Sequence, residues 1–376
     1  MSIQVSVVVP TYKRPRLLTH CLAALLMQDF DPDAYEVIVV DDAASEETKR
    51  VVEAWNDYPE LKNNLSLNGG ANGYRHLASL SPPNRTTHTP NSSTTTRKLA
   101  NSQTCKLANS QTRIRYIPVT RTRGPAAARN CGWRAAHGQI IAFTDDDCIP
   151  QPDWLRAGVL ALTHGAVGAA GRLVVPVQDV PTDYELNMTH MQNARFLTAN
   201  CFYWREALDE VGGFDERFTL AWREDSDLYF TLLKQYGNSR FIRAPEAVVI
   251  HPPRPPVHWG ISLSQQRKSM YNALLYKKHP NLYWTMIQPC PPWRYYHIVA
   301  AMLIGLSGAL SGHKALALIA LTIWLLLTSR FCWQRLRYTS RAPSHVAEMI
   351  VTSILIPPLS IFWRLFGALK FRVPFL

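Results

Sequence analysis

Over residues 1–250 the apolar positions fall mostly in short continuous runs, the pattern of strands buried on both faces of a parallel sheet. Residues 3–9 are one such run, stopped by Pro10. Arg16, Leu17, Leu18, Cys21, Leu22, Leu25 and Leu26 then follow helical spacing, which predicts a helix over 16–28. Residues 36–40 predict a second buried strand ending in Asp41-Asp42, and 46–58 a second helix. Strand, helix and strand within about 40 residues make a right-handed crossover unit. Further strands are predicted at 114–119, 140–143, 173–177 and 244–251, and helices at 125–136, 154–162, 205–211 and 222–235.

Residues 61–112 break this pattern. They are rich in Asn, Ser, Thr and Pro, and the heptamer Lys98-Leu99-Ala100-Asn101-Ser102-Gln103-Thr104 recurs over 106–112. Such a duplication has too few large apolar groups to bury a core. It reads as a disordered surface insertion whose length costs little extra closure entropy.

Beyond residue 250 the pattern changes again. Residues 251–294 read as an amphipathic, basic juxtamembrane segment. Residues 295–376 are expected to anchor the chain in a membrane. Two apolar runs, 296–312 and 315–329, are separated by His313-Lys314 and predict a helical hairpin, each arm short for a full span. The loop carrying Arg330, Arg335, Arg337 and Arg341 then belongs on the cytoplasmic face. A third run, 346–367, is interrupted by Pro357-Pro358 and followed by Lys370 and Arg372. It is either a third span or a re-entrant or interfacial segment.

Charge supports this division. Residues 250–376 carry fourteen Lys and Arg against one acid, Glu348, while 61–112 carry six and no acid; the remainder has 20 basic and 27 acidic residues. An acidic folded part joined to a basic, apolar C-terminal part points to an anionic membrane surface. No basic zinc-finger or helix-turn-helix pattern is visible, so a nucleic-acid partner is not expected. Seven cysteines are scattered singly, without a CxxC pair, which suits a reducing compartment. The N-terminus runs directly into the first strand without a signal-peptide pattern, and the catalytic part is expected to be cytoplasmic.

The candidate chemistry sits at strand ends. The run 140–143 leads into Thr144 and three consecutive carboxylates, Asp145-Asp146-Asp147. These repel one another unless a divalent cation or cationic ligand neutralises them. The C-terminal edge of an open α/β sheet is also where ligands bind. The first loop, Pro10-Thr11-Tyr12-Lys13-Arg14-Pro15, lacks the glycine fingerprint for NAD or FAD. It offers instead a hydroxyl, an aromatic face and two cations, suited to a base and a diphosphate. Asp41 and Asp42 can each accept from a ribose hydroxyl or a base N–H, unless one of them, Asp42 more readily than Asp41, merely caps the helix near Ser45. Gly124-Pro125 opens a helix, which sets Arg123 and Arg129 near an N-terminus suited to phosphates, unless one is a plain surface arginine. Glu224, Asp225 and Asp227 crowd the first turn of another helix, where capping accounts for one acid but not three. His251 is either a metal ligand or an ordinary polar strand terminus.

Six segments in order carry a resemblance: Val-Val-Pro-Thr-Tyr-Lys-Arg, Asp41-Asp42, Arg-Gly-Pro-Ala-Ala-Ala-Arg-Asn, Phe-Thr-Asp-Asp-Asp-Cys, Gly-Gly-Phe-Asp-Glu and Glu-Asp-Ser-Asp-Leu. Over about residues 3–250, less the insertion, the chain resembles the family 2 inverting glycosyltransferases. The resemblance implies the GT-A nucleotide-diphospho-sugar transferase fold, an α/β fold with a mostly parallel central sheet flanked by helices, here with C-terminal transmembrane helices. It implies that Asp145 and Asp147 hold Mg2+ or Mn2+ on the diphosphate of a UDP-, GDP- or dTDP-linked sugar, with Asp146 on the sugar or ribose. Asp41 would hold the nucleoside, with Pro10, Thr11, Tyr12 and Arg14 lining its pocket. Arg123 or Arg129, beside Asn130, would contact phosphate or donor sugar, and His251 would be a further metal ligand. Asp225, paired with Glu224, is similar to the family's catalytic base, and the two acidic clusters would line one cleft.

The acceptor implied is a lipid-linked or other glycan at the bacterial inner (plasma) membrane. No Gln-x-x-Arg-Trp sequence is present and the spans are few, so transfer of a single sugar is expected rather than polymer extrusion. A metal-dependent nucleotidyltransferase and an inactive membrane scaffold of the same fold are the alternatives. Free nucleoside diphosphate as product separates a glycosyltransferase from a nucleotidyltransferase, which releases pyrophosphate.

Overall fold

The computed structural model describes residues 2–57, 113–121, 123–163, 165–254 and 259–375. The insertion read over 61–112 lies outside the described residues. In chain order the elements are β1 (Val5–Thr11), α1 (Pro15–Leu26), β2 (Tyr35–Asp41), α2 (Glu46–Asp57), β3 (Arg113–Pro118), α3 (Pro125–Arg134), β4 (Ile140–Phe143), β5 (Ile149–Pro150), α4 (Trp154–Leu162) and β6 (Gly168–Val174). There follow α5 (Asp183–Thr189), β7 (Cys201–Trp204), α6 (Arg205–Val211), α7 (Glu224–Tyr236), β8 (Phe241–Ile250), α8 (Ile261–Gln265), α9 (Met270–Lys278) and α10 (Pro280–Met286). Three long helices close the chain: α11 (Trp293–Leu310), α12 (Lys314–Leu336) and α13 (Pro343–Phe371).

The chain forms two compact units. The first comprises Met1–Leu173, Phe196–Thr219 and Gln235–His251 and contains one eight-stranded sheet, in the order β3-β2-β1-β4-β7-β6-β8-β5. The β3-β2-β1-β4 half is parallel, and β7 turns antiparallel against β4. Its centre is fully buried: Val7, Val8, Val9, Val37, Ile38, Val39, Ile141 and Ala142 are all at 0% exposure. That explains the unbroken apolar runs, since strands covered on both faces have no solvent side to mark with polar residues. The register sets Thr11 beside Asp41 and Val8 beside Phe143, which brings the ends of β1, β2 and β4 to one edge. On one face α3 packs closely: a Cβ on Gly132 would come within 2.4 Å of Val8.

The strand expected at 173–177 forms earlier, at Gly168–Val174. Its Gly168, Ala169 and Ala170 have little strand propensity, but they pair with Tyr203, Phe202 and Cys201 of β7. A Cβ on Gly168 would lie 2.8 Å from the Tyr203 ring, so the neighbouring aromatics fill the space that a larger residue would take. Tertiary context overrides propensity here. The helix α5 was also unforeseen, although its capping box is local: Thr182 accepts from Glu185 N–H at 3.2 Å and donates its own N–H to Glu185 at 2.7 Å.

The second unit comprises Val174–Arg195, Leu220–Lys234 and Pro252–Leu376. Within it α11 and α12 pack as the expected hairpin. Gly308 meets Ala317, with a built Cβ 3.1 Å from its backbone nitrogen, and small residues of this kind let apolar helices approach. Ile298, Phe331 and Ile356 form the buried cluster joining α11, α12 and α13. Contrary to the interruption read at Pro357-Pro358, α13 runs helically through both prolines. The helices α12 and α13 are long and apolar enough to cross a membrane, and much of their apolar surface is exposed, as at Leu318, Leu326, Phe362 and Leu369.

Candidate active site

The three carboxylates after β4 acquire three different environments, all within the first unit. Asp146 is 2% exposed and accepts from Thr11 Oγ1 at 2.7 Å and Arg14 Nη1 at 3.1 Å. Burial pushes its carboxyl up to about 6, against the pull of Arg14, with the neighbouring Asp147 and Asp145 adding to the rise. Asp145 is partly exposed and takes a 2.7 Å hydrogen bond from Arg129 Nη2, a guanidinium only 3% exposed. Asp147 is buried, with one oxygen 3.6 Å from His251 Nε2.

Donor atoms of Asp147, Cys148 and His251 lie within 4.8 Å of one another, a mixed oxygen, sulfur and nitrogen set able to take a divalent cation. His251 is 3% exposed and its Nδ1 has no hydrogen-bond partner, the condition of a histidine poised to bind something. The Cys148 sulfur was not singled out from sequence; its position immediately after the acidic triplet was the available signal. Burial, and then the acids of the triplet, push the Cys148 thiol well up, so it is a neutral thiol beside Asp147.

The other nucleotide-side candidates divide. Tyr12 is 44% exposed, with the Lys13 ammonium 5.3 Å from its ring centre, and Pro10 lies within β1. Asp41 is at 0% exposure, and its carboxylate accepts from Ala43 N–H (3.0 Å), Ser45 N–H (2.7 Å) and the Tyr116 hydroxyl (3.0 Å). The carboxylate therefore braces the turn before α2, where Ser45 itself caps Thr48 N–H at 3.2 Å. Asp42 does not cap that helix; it accepts from the backbone N–H groups of Arg123 and Gly124, both at 2.9 Å. This bond holds Gly124 at φ +92°, where a Cβ would also strike the Thr219 backbone.

The two arginines of that segment part company. Arg129 reaches Asp145, whereas Arg123 is 63% exposed and lies 3.7 Å from Glu216. Arg123 lines a shallow cavity of about 490 Å³ with Arg121, Cys131, Arg134 and Glu216. Asn130 is 1% exposed and its amide is fully used. It donates to Phe214 C=O and Glu216 and accepts from Phe214 N–H and Trp133 Nε1, at 2.8–3.0 Å. It clamps the Gly212–Phe218 turn.

Glu224 and Asp225 belong to the second unit, at the start of α7. Glu224 and Asp227 are buried, and Asp227 is held by Lys278 Nζ at 2.6 Å and His279 Nε2 at 3.0 Å. Asp225 is half-buried; one of its oxygens accepts from Ser226 N–H at 2.6 Å. Arg223, at φ +77°, sits just before them with its guanidinium 4.5 Å from the Trp222 ring and its Nε on Asn272 at 2.8 Å. Sequence capping rules did not show this split, in which Asp227 is fixed by α9 and its flanking residue while Asp225 keeps a partly open carboxylate.

A parallel half-sheet ends in an acidic edge, with an exposed tyrosine and a buried aspartate at the neighbouring strand ends, and the fold is GT-A-like. The model of the family described as glycosyl transferase family 2 matches residues 6–68 and 91–215, and the chain belongs to that family. Glycosyltransferase AglE of Haloferax volcanii is 22% identical over 261 residues, covering 67% of this chain and 67% of AglE. Validoxylamine A glucosyltransferase of Streptomyces hygroscopicus subsp. limoneus is 28% identical over 271 residues, covering 60% of this chain but 47% of its own length. The structure of mannosyltransferase PcManGT from Pyrobaculum calidifontis, in complex with GDP-Man and Mn2+, superposes at a TM-score of 0.50 with 16% identity, covering 99% of this chain and 88% of that one. The chain is thus a membrane-associated glycosyltransferase that draws on a nucleotide-sugar donor and carries a cluster able to bind a metal.

Proposed function

We propose that the protein moves one sugar from a nucleoside diphosphate sugar to a hydroxyl of a lipid-linked or membrane-proximal acceptor, with inversion at the anomeric carbon. The observation that carries this reading is the Asp147, Cys148 and His251 donor set, with His251 Nδ1 unpartnered, beside the Arg129–Asp145 pair. Asp147 and His251 would hold Mg2+ or Mn2+, with Asp145 the second acid of the Asp-x-Asp pair. A cation held there would neutralise charge developing on the departing diphosphate. Arg129 contributes a buried positive charge on the same side. Asp146, tied to Thr11 and Arg14, fixes the loop that carries Tyr12, whose exposed ring offers a stacking surface for the donor base.

Asp225 is the base that takes the acceptor hydroxyl's proton as that oxygen attacks the anomeric carbon. Its half-buried carboxylate, at the start of α7, supports the role, because a base must reach the acceptor's proton. The GDP-Man and Mn2+ of the PcManGT complex support the donor and metal classes. GDP-, UDP- and dTDP-sugars are the donors to screen, with the catalytic part on the cytoplasmic face of the plasma membrane. The test is purified full-length protein with Mn2+ or Mg2+, each donor and a membrane lipid extract, followed by nucleotide analysis and lipid mass measurement. Release of nucleoside diphosphate together with a lipid heavier by one hexose-class residue supports the reading. Pyrophosphate release, or a product extended by many sugars, refutes it.

A further inference from the structure

The helix α13 has the length and composition of a span, yet its partners bind it along its whole length within the second unit. Near its start His345 Nε2 accepts Asp183 N–H at 3.1 Å, and Glu348 accepts Gly260 N–H at 2.9 Å. Midway, the Thr352 and Ser353 hydroxyls accept from Arg335 at 2.7 and 3.2 Å. Near its end Arg364 donates to Gln288 at 3.2 Å and the Phe371 carbonyl accepts from Lys277 Nζ at 2.8 Å. Gly367 is pressed so tightly on α9 that a Cβ would come within 2.4 Å of the Met270 carbonyl oxygen.

A helix of this length extends about 43 Å, and crossing would put the ~30 Å hydrocarbon layer between its two ends. Asp183 and Gly260 hold one end; Lys277 and Gln288 hold the other. Among the described residues from 183 to 288, no helix is long and apolar enough to cross a membrane. Those partners therefore share one side of the bilayer, and so do both ends of α13. The opposite face of the helix is an exposed apolar stripe, with Ile350, Ile354, Leu355, Phe362, Leu365 and Leu369 at 36–79% exposure. On its buried side Ile356 packs with Ile298 and Phe331 of the apolar hairpin, and Lys370 and Arg372 flank the end of the stripe.

We infer that α13 lies in the plane of the membrane, its stripe set into the headgroup–acyl boundary, and does not cross. The occupant of this face is lipid. The hairpin α11–α12 alone enters the bilayer core, and the residues after α13 return to the side that carries the catalytic part.

The test uses the full chain in sealed membrane vesicles, with Cys105, Cys131, Cys290 and Cys332 replaced by Ser. Glu53→Cys on the exposed face of α2 reports the catalytic side, and Lys370→Cys reports the end of α13. A bulky, membrane-impermeant maleimide is expected to label both positions to the same extent in vesicles that expose Glu53→Cys, with no gain for either when detergent opens them. Labelling of Lys370→Cys only after opening, while Glu53→Cys labels before, overturns the inference. Pro374→Cys, beyond the helix and exposed, gives the same readout should Lys370→Cys fail to accumulate. Neither outcome depends on donor, metal or base, so failure here is distinct from failure of the proposed reaction.

Discussion

Glu36 is a buried carboxylate whose removal has a calculable cost. It lies at 0% exposure in β2, accepts three hydrogen bonds and has the His137 ring at hydrogen-bond distance. Ser6 Oγ and His137 N–H reach one oxygen, both at 2.7 Å; Arg115 Nη1 at 2.9 Å and His137 Nδ1 at 3.2 Å reach the other. Glu36→Gln keeps the shape but turns one acceptor into an NH2 group. Whichever way that amide is set, its NH2 meets a group that only donates, the His137 backbone on one side or Arg115 on the other. One opposed buried donor costs about 1–3 kcal/mol. The Arg115 side chain is 32% exposed, so losing the ion pair adds only about 1 kcal/mol after solvent screening. The total of about 2–4 kcal/mol corresponds to a melting shift of roughly 4–16 °C for a unit of this size.

The assay is thermal unfolding of the purified protein in detergent, followed by tryptophan fluorescence, with exposed Glu53→Gln as the control. A Glu36→Gln melting point within about 2 °C of the control would refute the reasoning, because that is the scale of a surface substitution. The pH dependence follows with a fixed sign. Burial alone would raise the Glu36 pKa, but the His137 N–H, Arg115 and Ser6 outweigh it and hold the group below its ordinary 4.5. A carboxylate with a depressed folded pKa contributes its stability above the unfolded value and loses it as pH falls through the folded one. The wild-type and Glu36→Gln melting points should therefore converge below pH 4.5 and stay apart above it.

Asp225→Asn should lower turnover by about 10²–10⁴-fold, the usual worth of a general base, while calorimetry shows donor binding unchanged; turnover at the wild-type rate would remove Asp225 from that role. His251→Ala should weaken Mn2+-dependent binding of nucleoside diphosphate by about tenfold or more, with metal-free binding unaltered. Equal binding with and without Mn2+ in the wild type would show that the Asp147, Cys148 and His251 set holds no cation. Gly124→Ala should destabilise by about 2–4 kcal/mol through positive-φ strain and overpacking, read as a lower melting point; an unchanged value would mean that the Thr219 backbone yields freely.

Much of the first unit was legible in the sequence because its information is local. Residues 140–143 read as a buried strand since both of their faces are covered, and the acids that follow read as a site since nothing local neutralises three adjacent charges. The ordered motifs also carried the family. What local pattern could not carry was the identity of each charge's partner. Asp145 and Asp146 look alike in sequence, but pairing with Arg129, 16 residues away, and with Thr11, 135 residues away, separates them. The same holds for Asn130, which the motif suggested for the donor and whose amide is taken by Phe214, Glu216 and Trp133.

The C-terminal part shows the division most sharply. Composition alone made residues 346–367 suitable for lipid, and left a span and an interfacial helix equally open. Hydrophobicity measures affinity for an apolar phase, not direction within it. Orientation is set by which side chains elsewhere hold the two ends, and only the folded chain brings Asp183, Gly260, Lys277 and Gln288 to α13. Sequence determined the strands, the acidic edge and the attraction to the membrane. Tertiary structure decided which acids brace turns, which keep a partly exposed carboxylate and which residues hold the two ends of the last helix, because each depends on contacts between residues far apart in the chain.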